Sequence, residues 1–236
     1  MMAVALVIVL CVLVFLWRRL MRRLEVANKA DWGNKWLNRL DGLNRIFCRR
    51  FHRLRHAKLA VPATGGAIVA SNHVSGLDPL LLIAASRRPL HFMIAREEYE
   101  RWYLKWLFRA VGCIPVERSR NPRAAFHAAC AALARGEIVA LFPHGRIQLD
   151  HYPPVPLKRG AALMAGMTGA PIIPVRVEGI RGVGLTVAAV AMRSHARVRT
   201  YAPIYCSATG GTECLEKLAR VLAAGAGTER VSLSRG

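Results

Sequence analysis

The chain reads as an α/β protein: a mixed, mostly parallel sheet flanked by helices, preceded by a membrane helix and a basic amphipathic helix. Two observations predict this. From Lys58 onward, short apolar runs of strand length alternate with helical patterns, which is the order of elements in a sheet covered by helices. Before Lys58 the composition differs, with an apolar run and then basic residues at helical spacing. At 236 residues and 53% hydrophobic, the chain can bury the core of one domain beside a membrane segment. Its net charge of +21 calls for an anionic partner: nucleic acid, an anionic bilayer or phosphate-bearing substrates.

Met1 to Leu16 is uninterruptedly apolar, ends at Phe15 and Trp17, and is followed by Arg18, Arg19, Arg22 and Arg23. A helix of that length covers about 24 Å, short of a hydrocarbon core of about 30 Å, so it either spans a thinned bilayer or inserts partway. A cleaved signal would carry its charge before the apolar run, not after it. By the positive-inside rule the arginines keep the rest of the chain on the cytoplasmic side. Residues 1–17 are therefore expected to be a membrane anchor, at the cytoplasmic face of what would be a bacterial inner membrane.

Residues 18–57 form a basic amphipathic segment. Trp32, Trp36, Leu40, Leu43, Phe47, Phe51 and Leu54 recur in steps of three and four, while Lys35, Arg39, Arg45, Arg49, Arg50, Arg53 and Arg55 decorate the remainder. Between 17 and 60 there are 13 Lys and Arg against three acids, almost half of the whole excess. Aromatic and basic residues on opposite faces suit an anionic headgroup layer. Packing of the apolar face on the domain core is the alternative. Because so much charge sits beside a membrane segment and no nucleic-acid motif is present, nucleic acid is not expected as a partner.

Ala67 to Ala70 is the first strand, and Leu80 to Ala85 begins a helix. Leu90 to Ala95 is a strand, and Arg96 to Ala110 a helix whose aromatics (Tyr99, Trp102, Tyr103, Trp106, Phe108) face either lipid or core. Ile114 to Val116 is a short strand. Asn121-Pro122 opens a helix through Leu133 that Gly136 closes. Ile138 to Phe142 is a strand, Lys158 to Thr168 a helix ended by Gly169, and Ile172 to Val177 a strand. Thr186 to Met192 and Arg197 to Tyr201 read as later strands. Residues 207–236 carry a last helix marked by Leu215, Leu218 and Leu222, and a loose tail from Gly225. Six cysteines lack any paired short spacing, so neither a zinc site nor a disulfide framework follows, and a reducing compartment fits. No dinucleotide or Walker glycine pattern is present, and no metal or organic cofactor is expected.

Chemistry is expected at Ser71-Asn72-His73-Val74-Ser75-Gly76-Leu77-Asp78-Pro79, between the first strand and its helix. Carboxyl ends of strands are where α/β proteins meet ligands. Gly76 lets the turn fold back so that the Asp78 carboxylate reaches one nitrogen of His73 and leaves the other as a base for a hydroxyl group. A satisfied polar pair at a turn has the same composition.

Three further blocks accompany this turn: Gly112-x-Ile114-Pro115-Val116-x-Arg118, Phe142-Pro143-x-Gly145-Arg146, and Pro171-Ile172-Ile173-Pro174-Val175. With Asn72-His73-x4-Asp78, in this order, they resemble the four motif blocks of the glycerophospholipid acyltransferases, over about residues 60 to 180. That resemblance implies an acyltransferase domain over 58–206. It also implies transfer of a fatty acyl chain from acyl-CoA or acyl carrier protein to the hydroxyl of a lyso-glycerophospholipid, foremost 1-acylglycerol-3-phosphate, giving phosphatidic acid. Glycerol-3-phosphate or another lysolipid is the alternative acceptor, and a non-catalytic anionic-lipid-binding descendant the alternative role.

In that reading His73 is the general base and Asp78 orients it. Arg118 and Arg146 match the family's acceptor-binding arginines, whose planar guanidinium groups bind phosphate oxygens in pairs. Lys158 resembles a further family position, and Gly145 allows close approach of backbone to ligand. With no nucleophilic Ser or Cys beside His73, apart from the turn residue Ser75, direct attack is expected rather than an acyl-enzyme. The fourth block, without a titratable group, is either the wall of an acyl groove or plain core. One departure stands out: where the family's third block has Glu, this chain has His144.

Overall fold

The computed structural model describes residues 2–55, 58–117, 122–149, 155–207 and 211–223. Helix α1 (Met2–Ala27) runs without a break from the apolar run through the arginine cluster. Among the described residues it is the one helix long and apolar enough to cross a membrane, and its apolar window is wholly exposed. Helix α2 (Lys35–Arg50) folds back against it, opened by Asn34, whose side chain accepts from the Trp36 amide at 2.8 Å.

β1 (Ala67–Ser71) leads through a turn into α3 (Asp78–Ala85), then β2 (Leu90–Ala95), α4 (Arg96–Tyr99), α5 (Lys105–Ala110) and β3 (Ile114–Val116). α6 (Pro122–Ala134), β4 (Ile138–Leu141), α7 (Gly160–Thr168), β5 (Ile172–Glu178), α8 (Val187–Ala191), β6 (Arg197–Thr200) and α9 (Gly211–Ala223) complete the described fold. The strands form one sheet in the order β3-β2-β4-β1-β5-β6, parallel except for β6, which pairs antiparallel with β5. The sheet is thus mixed and mostly parallel, as expected from the alternating pattern.

β1 lies at the centre, buried along its whole length. Successive side chains of a strand point to opposite faces, and the sequence exploits this: Ala67 and Val69 belong to the core beneath α2 and α3, and Ile68 and Ala70 to the core beneath α6, α7 and α9. Both faces are covered, so the only polar end of β1 is its carboxyl edge. There Ala70 is level with Leu141 of β4, and Ser71 with Val175 of β5.

Four expectations are corrected. Thr186 to Met192 is not a strand but contains the short helix α8; its three alanines favour helix, and only Ala189 is buried. The helix expected over Arg96 to Ala110 breaks at Glu100–Leu104, because Tyr99 and Phe108 turn into the core while Trp102, Tyr103 and Trp106 stay exposed. Arg45 does not decorate a solvated face: it is 2% exposed and pairs with Asp41, while Trp36, Leu40 and Leu43 of the same helix remain exposed. Cys206 and Cys214, eight residues apart, meet at the start of α9 as a disulfide, where no pairing was expected. Asn121, the expected cap of α6, and the tail from Gly225 lie outside the described residues.

Candidate active site

The turn leaving β1 is built around the fully buried Asp78 carboxylate. Its Oδ2 accepts from His73 Nδ1 at 2.8 Å and from the backbone amides of Val74 and Ser75 at 2.7 and 3.0 Å. Its Oδ1 accepts from Ser75 Oγ at 3.1 Å. Four donors therefore fix one carboxylate, and the His73 tautomer follows: Nδ1 carries the hydrogen and Nε2 keeps its lone pair. The ring plane is held by Phe142, whose centroid lies 4.0 Å away at an interplanar angle of 13°. Ser75 Oγ is itself committed, because it also accepts from the Leu77 amide at 3.1 Å.

Neighbouring strands lock this turn from outside. Asn72, at the strand end, bridges the backbone of Val177 on β5, accepting from its amide at 2.7 Å and donating to its carbonyl at 3.0 Å. The Gln148 amide donates to His73 O, the Gly184 amide to Val74 O, and the Gly76 amide to Leu185 O. Gly76 is required by close packing rather than by a left-handed turn: a Cβ there would lie 2.4 Å from Thr186 O. Asn72 and Phe142 were visible in the motif blocks, but nothing in the sequence shows Asn72 reaching a strand 105 residues away.

His73 opens on a cleft of about 1480 Å³ that Gly145, Arg146 and Lys158 also line. The third block leaves β4 beside the His73–Asp78 turn, which is why Phe142 and the residues after it arrive here. Gly145 has φ +71°, and a Cβ on it would meet Lys158 Nζ at 2.7 Å. The Lys158 amide donates to Pro143 O at 2.9 Å, so the two segments are tied by their backbones. Lys158 sits before α7 and not inside it. Arg123 is a lining cation that motif reading missed. Arg118, placed by resemblance in the same site, lies outside the described residues.

The cleft lining mixes two kinds of chemistry. Arg146, Lys158 and Arg123 line it as cations, together with the carboxylates Asp41, Glu97 and Glu98, and the rest is mostly apolar, including Phe47, Leu80, Ile83, Phe92, Ile94 and Phe108. Its volume exceeds the usual range of about 300–1,000 Å³ for small-ligand sites, which suits a long ligand. Cys113 also lines it, but burial pushes its thiol up to about 12, so it offers no thiolate nucleophile. Neither His144 nor the fourth block is in the cleft lining: His144 is half-buried beside it, and the stretch from Ile172 to Val175 is core. Among the described residues no three His, Cys, Asp or Glu side chains cluster as metal ligands would.

A histidine oriented by a buried carboxylate, at the carboxyl edge of a mostly parallel sheet and in a cleft lined by cations and apolar side chains, has the geometry to accept a proton from a hydroxyl group. The chain belongs to the Acyltransferase family, whose pattern matches residues 52–178. Among curated relatives it is 28% identical over 120 residues to the 1-acyl-sn-glycerol-3-phosphate acyltransferase of Bacillus subtilis, a match covering 50% of this chain and 59% of that one. It is 29% identical over 122 residues to the probable 1-acyl-sn-glycerol-3-phosphate acyltransferase of Mycoplasma pneumoniae, covering 49% of this chain and 45% of that one. The chain thus matches about half the length of these relatives. In fold it is similar to the crystal structure of the 1-acyl-sn-glycerophosphate (LPA) acyltransferase PlsC from Thermotoga maritima. The TM-score is 0.60 at 17% identity, covering 83% of this chain and 81% of that one.

Proposed function

We propose that this protein moves a fatty acyl chain from a thioester donor, acyl-CoA or acyl carrier protein, to the hydroxyl of 1-acylglycerol-3-phosphate, giving phosphatidic acid. The observation that carries the reading is the shared cleft, which an oriented imidazole lines together with cationic and many apolar side chains. The relatives' names fit the same chemistry.

The geometry supports the following mechanism. His73 Nε2 accepts the acceptor's hydroxyl proton as the oxygen attacks the thioester carbonyl. Asp78 keeps the ring in place and stabilises the imidazolium. The new C–O bond forms as the C–S bond breaks, and the imidazolium returns its proton to the departing thiolate. Because Ser75 is tied into the turn and the Cys113 thiol stays protonated, attack is direct and needs no acyl-enzyme. Arg146 and Lys158 hold the acceptor's phosphate, with Arg118 joining them by resemblance, while Gly145 leaves room for Lys158. The apolar side chains of the cleft take the acyl chain. α1 anchors the domain at an anionic membrane, with the arginines after its apolar run on the cytoplasmic face.

A phosphate-bearing and a phosphate-free acceptor test the assignment of the cations. With 1-acylglycerol-3-phosphate, Arg146→Ala is expected to raise the acceptor KM on the order of tenfold, the loss of one charge-assisted contact, with little change in kcat. With monoacylglycerol the same substitution should leave KM unchanged. An equal effect on both acceptors would remove Arg146 from phosphate binding.

A further inference from the structure

The structure assigns Arg45 as a positioning residue for the His73–Asp78 pair: it fastens α3, the helix that begins with Asp78, to the membrane-proximal helix α2. This rests on the reading of His73 and Asp78 as the reacting pair. Arg45 and Asp41 are both buried, an arrangement that usually costs more in desolvation than it returns unless every donor finds a partner. Here four of the five N–H groups of Arg45 are used. Nε donates to Asp41 Oδ2, Nη1 to Ala84 O at 2.9 Å, and Nη2 to Ile83 O at 3.1 Å and to Ser86 O.

One of those carbonyls, Ala84 O, lies in the last turn of α3, which does not satisfy it by itself. The last four carbonyls of a helix have no intrahelical partner. In α3 the Ser86 amide donates to Leu82 O and Ile83 O, and the Leu59 amide donates to Ala85 O. Only Arg45 reaches Ala84 O among these, and its cation also sits at the negative end of the helix dipole. α2 grips α3 a second time one turn lower: Asn44 Nδ2 donates to Leu80 O at 2.9 Å, and Cys48 Sγ to the same carbonyl at 3.6 Å. Leu80 is two residues from Asp78. An eight-residue helix held at its end and near its start has no freedom to tilt, so the Asp78 carboxylate is presented at a fixed angle to His73.

The fastening continues toward the membrane. Gly42, between Asp41 and Arg45 on α2, lies so close to α1 that a Cβ would stand 1.9 Å from Leu24 O. α1, α2 and α3 are thus linked by backbone-level contacts, and the angle at which the anchor seats the domain is passed to Asp78 through Arg45.

Arg45→Lys is the direct test, because it keeps a cation for Asp41 but lacks the planar fork that reaches the α3 carbonyls. The full chain in detergent is assayed with acyl-CoA and 1-acylglycerol-3-phosphate, with thermal melting in parallel. Proton NMR follows the His73 Nδ1–H that bonds to Asp78, assigned by its loss in His73→Ala. A cooperatively melting Arg45→Lys is expected to lose about tenfold or more in kcat, as small displacements of a reacting group do, with both KM values within about twofold. Its Nδ1–H resonance should shift. Arg45→Met with Asp41→Leu, which removes both charges and leaves neither buried alone, should do the same. Unchanged kcat and an unmoved Nδ1–H resonance in either folded variant would overturn the assignment. Should His73→Ala retain activity, the catalytic reading fails instead, and the resonance still judges Arg45 by itself.

Discussion

Gly76 shows how tightly the turn from His73 to Asp78 is enclosed. Its backbone angle is available to any residue, yet the 182–186 segment passes so near that even a methyl group collides with Thr186 O. Gly76→Ala is therefore expected to push that segment away, cost on the order of 1–3 kcal/mol in stability as overpacking does, and reduce acyl transfer. Thermal melting and the transfer assay together check this; wild-type behaviour in both would show that the segment yields freely. At this scale the sequence was informative where neighbours in the chain make the contact. His73 and Asp78 share one turn, so their spacing foretold the hydrogen bond between them, while Ser75 was read only as a turn residue. The Asn72 bridge to Val177 was not legible, because strand order is set by packing between distant segments.

At the scale of elements, α2 carries the clearest lesson. Its apolar periodicity was read correctly as a helix, but the stripe that meets the domain contains Asp41, Gly42, Arg45 and Cys48. A buried ion pair looks like surface charge to any reading based on polarity, since its partners are contributed by another helix. α8 was missed for a related reason: a short run of Val and Ala fits a strand or a helix equally by period. The strands β1, β4 and β5 were legible because each is a short run rich in β-branched residues or Ala, and bounded by turn residues.

His52, just past α2, is fully buried, with Nε2 3.1 Å from Val190 O on α8 and Nδ1 without a hydrogen-bond partner among the described residues. Burial, only partly offset by the Val190 bond, holds its pKa below the ordinary histidine value. The unfolded chain then binds the proton first. Stability from this group is complete above about pH 6.5 and is lost as pH falls through the lower folded value. Melting temperature should accordingly drop between pH 7 and pH 5, and His52→Gln, which keeps an N–H for Val190, should flatten that drop. An identical pH profile in the variant would contradict the assignment.

For the whole molecule, the distribution of exposed apolar groups is what would seat the proposed site at a membrane. α1 is bare, and Trp36, Leu40 and Leu43 on α2 and Trp102 and Trp106 around α5 are exposed. Leu40, Leu43 and Leu107 also line the cleft, so this apolar surface borders its mouth. Arg39 lies 5.1 Å over the Trp36 ring, an aromatic and basic pairing suited to the headgroup layer. In anionic vesicles made with brominated lipid, the full chain's tryptophan fluorescence should be quenched, and Trp36→Phe with Trp106→Phe should remove part of that quenching. Unaltered quenching would place both rings away from lipid and turn the cleft mouth from the bilayer.

The central claim is that His73, steered by Asp78, takes the proton of the attacking hydroxyl. The most direct measurement is the rate of labelled acyl transfer from acyl-CoA to 1-acylglycerol-3-phosphate by wild-type protein and by His73→Ala of matched melting temperature. A fall of about 10²–10⁴-fold is the expected result, the usual contribution of a general base. Transfer by His73→Ala at the wild-type rate would contradict it.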